Sequence, residues 1–216
     1  MLKKIAVIGP ESTGKSTLCE RLAQHYRTQW CPEYARQYLM TYGMTYTYDD
    51  LLTIARGQLE LEDKYIQSVV RSLQSSVQDA ESREDSSLTP DSDRAHDSRL
   101  TTYDLRLTTQ PPLLFIDTDM YVMKVWCEFV FGRCHQFILD QIAVRKYDLY
   151  FLCNVDLPWT PDPLREYPDF ERRQRLYEIY KNIMIHQPIP WVEISGDPTE
   201  RMQKAIFTIN RLNTGQ

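Results

Sequence analysis

The run Gly9-Pro10-Glu11-Ser12-Thr13-Gly14-Lys15-Ser16 has the spacing G-x-x-x-x-G-K-[ST], that of a loop built to cradle phosphates. Its glycines let the backbone wrap tightly, so that successive N–H groups and the start of the next helix face phosphate oxygens. In that arrangement Gly9, Glu11, Ser12, Thr13 and Gly14 surround the phosphates, Lys15 reaches the β- and γ-groups, and the Ser16 hydroxyl ligates Mg2+. The run follows a β-branched apolar stretch and opens a helical pattern, the context this chemistry requires. A second carboxylate completes such a site. Asp117 closes the apolar run Leu113-Leu114-Phe115-Ile116, so it is expected at the C-terminal edge of a sheet as the second Mg2+ ligand rather than as a plain helix cap. Asp119 follows two residues on.

Two further groups of residues suit an acceptor. Glu33-Tyr34-Ala35-Arg36 brings a carboxylate, an aromatic face and a guanidinium to the lip of the same cleft, a set that fits a hydroxyl with a ring to stack. The proline-punctuated segment 154–175 contains Trp159, Asp162 and Arg165 and runs on to Arg172, Arg173 and Arg175. Arginines on a mobile cover can close over a transferring phosphoryl group, neutralise its charge and exclude water. Arg165 and Arg172 are expected to do so, and Arg173 and Arg175 to sit on a solvated helix face. For the base that takes the acceptor's proton, Glu33 is expected. Asp119 is expected to orient the substrate, because a nearby Mg2+ would lower its proton affinity.

The elements that hold these residues alternate. Strands are predicted at 4–8, 29–31, 113–117, 149–153 and 191–194. Helices are predicted at 15–26, 35–42, 49 to about 73, 121–131, 136–144, 170 to about 186, and 200–212. Continuous apolar strands alternating with helices give a three-layered α/β fold with a parallel sheet of about five strands. From about residue 75 to 109 the chain is dense in Ser, Thr, Asp and Glu and nearly free of large apolar residues. Such a segment cannot bury enough surface to offset its ordering entropy, and it reads as a flexible insertion in one domain spanning 1–216.

Composition narrows the function classes. The chain has 216 residues and a net charge of −5, the reverse of the balance a dedicated nucleic-acid binder carries. No apolar run reaches the roughly 18–20 residues of a membrane span, and no signal peptide pattern precedes the first strand. Five cysteines without a CxxC pair give neither a disulfide framework nor a zinc site; Cys127, Cys134 and His135, the nearest thing to a ligand cluster, lack its paired spacing. A soluble, cytoplasmic protein acting on a small molecule is expected, with no nucleic-acid or membrane partner.

Taken in order, IAVIGPESTGKSTL, PEYARQYL, FIDTD with WCEFVFG downstream, YDLYFLCNVDLPWTPDPLRE and ISGDPTERMQKAI resemble the ribosylnicotinamide kinase domain of the NadR-type NAD-biosynthesis proteins. These proteins form a branch of the P-loop nucleoside and nucleotide kinases. The phosphate loop alone is widespread; the combination with EYAR, DTD and PW-x-x-DPLR is far more specific. The resemblance implies an AAA-type, three-layer P-loop NTPase fold and ATP-dependent phosphorylation of the 5′-hydroxyl of nicotinamide riboside. It places Gly14, Lys15, Ser16 and Thr17 on ATP and Mg2+. Glu33, Tyr34, Arg36 and Asp119 would face the riboside, with Trp126 near the pyridinium ring. Trp159, Asp162 and Arg165 would lie in the lid, and 196–201, with Asp197 and Arg201, would border the adenine. It covers the kinase domain alone, so repressor and adenylyltransferase roles are not implied, and the acidic insertion has no counterpart in the pattern. Two other readings share the phosphate-loop parts: a kinase for another nucleoside or nucleotide, and a non-catalytic ATP-binding sensor of a pyridine nucleotide.

Overall fold

The computed structural model describes residues 1–85 and 111–214. Five strands, β1 (Lys3–Ile8), β2 (Gln29–Cys31), β3 (Leu113–Asp117), β4 (Leu149–Cys153) and β5 (Trp191–Ile194), form one sheet in the order β2-β3-β1-β4-β5. All four strand pairings are parallel. Every residue of β3 and β4 is buried, which explains why these strands show continuous apolar runs instead of alternation.

The alternation reappears once the faces are separated. Ile5, Val7, Phe115 and Phe151 point to one side, where they meet Leu18 and Leu22 of α1 (Lys15–Tyr26) and Ala205 and Ile209 of α7 (Pro198–Thr214). Ala6, Ile8, Ile116 and Leu152 point to the other side. There they meet α3 (Tyr48–Asp85), α4 (Met120–Phe131) and α6 (Phe170–His186) through Val69, Val125 and Tyr177. The expected three-layer α/β fold is the one observed. A third cluster joins Leu51, Ile54 and Ala55 of α3 to Met120 and Met123 of α4, Ile138 of α5 (Gln136–Val144) and Ala35 of α2 (Tyr34–Tyr42). It forms a platform that carries α2, and with it Glu33.

Buried charge staples α3 to the sheet. Glu62, fully buried, accepts hydrogen bonds from Lys4 Nζ at 3.2 Å and Tyr147 OH at 2.8 Å, and pairs with Arg145 Nη1 at 3.3 Å. A buried carboxylate persists only when so fully compensated. Most predicted boundaries fall within two residues of those observed. α3 is the difference: it runs on to Asp85, twelve residues past the end expected near residue 73, and the rest of the expected insertion, 86–109, lies outside the described residues. Among the described residues no helix is long and apolar enough to cross a membrane.

Candidate active site

The phosphate loop leaves β1 at the point where the sheet order turns, between β3 and β4, the position at which open α/β sheets bind ligands. Gly9 has φ +138°, and a Cβ there would stand 2.7 Å from the Cys153 carbonyl oxygen, so only glycine lets the loop pass β4. Gly14 has φ +78° and directly precedes α1. Lys15 curls over the loop and donates from Nζ to the Pro10 carbonyl at 2.9 Å, and Thr13 Oγ1 donates to the same oxygen at 2.7 Å.

Ser16 and Asp117 come together as expected: Ser16 Oγ donates to Asp117 Oδ2 at 2.5 Å. The other carboxylate oxygen, Oδ1, is buried without a hydrogen-bond partner. Burial, reinforced by the nearby Glu33 charge and opposed by Lys15, pushes the Asp117 carboxyl up to about 6. A hydroxyl beside a carboxylate with an unsatisfied oxygen is a donor set that fits Mg2+. Asp117 does not cap the following helix.

That task belongs to Asp119. Thr118 adopts φ +77°, turning the chain so that Asp119 Oδ1 accepts from Tyr121 N at 3.0 Å and Val122 N at 3.3 Å at the start of α4. Its Oδ2 accepts from Tyr150 OH at 2.8 Å. Asp119 is 1% exposed, outside the cavity wall, and burial pushes its carboxyl up to about 7. The expectation that it faces the substrate is therefore corrected. Its oxygens are occupied by a helix cap and a tyrosine.

A cavity of about 540 Å3 runs from the phosphate loop to an aromatic compartment. Glu33 and Arg36 line it on one side, Trp126 and Phe129 on another, and Asp162, Arg165 and Tyr167 cover it. Trp126 Nε1 donates to Tyr46 OH at 2.9 Å, which in turn donates to Glu166 at 3.0 Å, so the indole is tethered through Tyr46 to the segment 154–175. Arg36 Nη2 pairs with Asp162 Oδ2 at 2.9 Å, joining α2 to the lid segment. Arg165 donates to the Thr160 carbonyl within that segment.

The lid lies against the phosphate loop. Glu11 accepts from the backbone N–H of Glu166 at 2.9 Å and of Tyr167, and Ser12 Oγ accepts from Thr160 N at 3.0 Å. Sequence reasoning gave both side chains to the nucleotide; the structure engages them with the lid, although both residues also line the cavity.

Other predicted residues fall outside the cavity wall. Tyr34 packs on α3, where a Cβ on Gly57 would stand 2.1 Å from its ring. Arg172 is exposed, 5.9 Å from the Tyr167 ring, and the Trp159 Nε1 is buried without a partner. Asp197 accepts from Thr199 N and Glu200 N at 2.7 and 2.9 Å, capping α7. Arg201, 4% exposed, donates to the carbonyls of Thr13 at 3.0 Å and Gly196 at 2.8 Å and pairs with Asp156. It buttresses the loop from behind. Arg173 corrects the sequence expectation: it is 4% exposed, not solvated, and its Nε and Nη1 have no hydrogen-bond partner. It shares a helical face with Leu176 and Tyr180, which line the cavity. Missed altogether was Gln58, a buried amide behind Glu33. Its signal was present: a polar residue set in the buried stripe Leu51, Ile54, Ala55 and Glu62 of α3.

The family described as AAA domain matches this chain over residues 4–79 and 60–201. Among curated relatives, the trifunctional NAD biosynthesis/regulator protein NadR of Salmonella typhimurium is 24% identical over 200 residues, covering 89% of this chain and 38% of that protein. Its Escherichia coli counterpart is 23% identical over 203 residues, covering 91% and 39%. The chain thus spans about two fifths of the length of the curated relatives it matches. A crystal structure of NadR protein in complex with NR superposes with a TM-score of 0.64 at 18% identity, covering 99% of this chain and 52% of that one. NadR protein in complex with NAD and AMP-PNP gives 0.57 at 18% identity, covering 99% and 50%. Thymidylate kinase from Ehrlichia chaffeensis gives 0.55 at 12% identity, covering 96% and 98%. The sequence resemblance to NadR-type proteins is borne out by the relatives, and the chain shares its fold with these NadR and thymidylate kinase structures.

Proposed function

The chain belongs to the AAA domain family, and on that premise we propose that it is an ATP-dependent kinase phosphorylating the 5′-hydroxyl of nicotinamide riboside. The product would be nicotinamide mononucleotide, made in a cytoplasmic salvage route to NAD. The observation that supports this most is one cavity whose wall includes both the phosphate loop and a carboxylate with an aromatic compartment. A phosphate donor and a ring-bearing acceptor would meet between them.

Phosphoryl transfer asks a protein mainly to position the reactants and to stabilise charge. Loop N–H groups and Lys15 would hold the triphosphate, and Ser16 with Asp117 would hold Mg2+. The metal, when bound, neutralises developing charge on the transferring group. Glu33 would accept the proton of the 5′-hydroxyl. Arg165, in the cavity wall, and Arg173, buried on α6 with Nε and Nη1 unpaired, are the lid cations suited to the phosphoryl group. Trp126, Phe129 and Tyr167, with Glu33 and Asp162, make an aromatic and acidic surround that favours a cationic pyridinium by cation–π and charge attraction. The ligands of the neighbouring structures, NR in one NadR protein and NAD with AMP-PNP in another, accord with this pairing.

The deciding experiment measures ADP release with ATP, Mg2+ and a panel of nucleosides, with Lys15→Ala as control. Nicotinamide riboside is expected to stimulate release above thymidine and the common ribonucleosides, and Lys15→Ala to abolish it while circular dichroism is unchanged. Stimulation by a different nucleoside reassigns the acceptor. Stimulation by none makes the chain a nucleotide-binding sensor.

A further inference from the structure

Gln58 lies on α3 outside the cavity wall and is 1% exposed. Its Oε1 accepts from Tyr34 N at 2.7 Å. Its Nε2 donates to the Pro32 carbonyl at 3.4 Å and the Asp117 carbonyl at 3.5 Å, and lies 3.7 Å from Cys31 Sγ. The amide cannot be reversed: a flipped group would set its NH2 against the Tyr34 N–H and its oxygen against two carbonyls. A buried amide costs free energy unless so paired, and an apolar residue would be the simpler occupant of this stripe.

We propose that Gln58 is a positioning residue for phosphoryl transfer: one amide fixes the turn that carries Glu33 and ties it to the strand end that carries Asp117. The inference rests on the reading of Glu33 as proton acceptor. Two of Gln58's partners, Pro32 and Tyr34, are the residues immediately before and after Glu33. Glu33 is also the residue preceding the first turn of α2, yet its side chain makes no capping bond. The first N–H groups of a helix need acceptors from outside it, and one of them, Tyr34 N, is satisfied by Gln58 from a different helix. The Glu33 carboxylate is left facing the cavity instead of folding onto its own helix. Through the Asp117 carbonyl, the same amide reaches the residue whose carboxylate holds Ser16. The acceptor side and the phosphate side thus share one brace, and a displacement of about 1 Å between reacting groups costs roughly 10²-fold in rate.

The test uses Gln58→Leu, which keeps the volume and loses the hydrogen bonds, and Gln58→Glu, which keeps only the acceptor for Tyr34 N. Amide hydrogen exchange reads the brace without reference to activity. In Gln58→Leu the Tyr34 amide is expected to exchange at least about 10-fold faster, with β1 amides unchanged; unchanged protection at Tyr34 overturns the inference. Turnover with the riboside is expected to fall roughly 10- to 100-fold while AMP-PNP affinity stays within about 3-fold. An equal loss of both makes Gln58 merely structural and overturns it. In a Glu33→Gln background the Gln58→Leu change should cost much less than it does alone, because most of its effect runs through that carboxylate; fully additive losses overturn it. Full turnover in Glu33→Gln alone marks failure of the proton-acceptor reading, and the Tyr34 exchange still decides whether Gln58 holds the turn. Where Gln58→Leu does not fold, Gln58→Glu is expected to lose turnover while protecting Tyr34, and full turnover in it overturns the inference.

Discussion

Arg173 holds a guanidinium in buried surroundings with two nitrogens unpaired. A buried cation without its anion is costly, and replacing it by an apolar residue of similar size often stabilises the fold. Arg173→Met is therefore expected to raise the melting temperature of the free protein, by roughly 2–4 °C per kcal/mol relieved. The same change should shrink the further rise produced by AMP-PNP with Mg2+. Scanning fluorimetry with and without nucleotide reads both; a lower melting temperature with an undiminished nucleotide gain would make the arginine a plain packing residue. Asp119 and Glu33 separate in the same way. Asp119→Ala removes a helix cap and a tyrosine partner and should cost about 1–3 kcal/mol in urea unfolding, with the riboside Michaelis constant unchanged. Glu33→Gln should leave stability alone and lower turnover about 10²–10⁴-fold. The placement of Lys15, Ser16 and Asp117 was legible because it follows from local spacing and from a strand that ends in a carboxylate. Asp119 was misread because closeness in sequence to a proposed metal ligand says nothing of direction, and the left-handed Thr118 turns it back onto its helix. Arg173 was misread because a run of charges hides which one falls in line with Leu176 and Tyr180.

Nearly every element was legible, since β-branched runs and apolar stripes are the same forces that fold them. The end of α3 was not. Its large apolar residues thin out after Leu73, so the sequence announces no continuation, but the helix goes on to Asp85. The lid shows the opposite limit: its cover over the cavity depends on Glu11 and Ser12, contacts across more than a hundred residues that no local pattern reveals. Glu11→Ala frees two lid N–H groups from their acceptor. Tryptic cleavage after Arg165 should then run several-fold faster, and ATP hydrolysis without acceptor should rise as water gains entry. A digestion rate equal to that of the unaltered protein would assign closure to Arg36 and Asp162 instead.

At the scale of the whole molecule, the acidic, Ser-rich stretch has the composition of a chain that buries little. Replacing residues 90–107 by a short Gly-Ser linker is expected to leave the melting temperature and turnover nearly unchanged; a loss of many degrees would show that the segment packs. Where that stretch falls in the strand order matters more than what it contains. β1 and β2 are never neighbours: each pairs with β3, and β1 with β4 as well. Every partner of β1 is made later, and the first of them, β3, begins 105 residues after β1 ends. At roughly 5–20 residues per second of synthesis, the central strand waits about 5–20 s with both edges open. Of the described strands, a fragment that stops short of residue 113 holds two, β1 and β2, which do not pair with each other, so its N-terminal helices can form while the sheet they cover cannot.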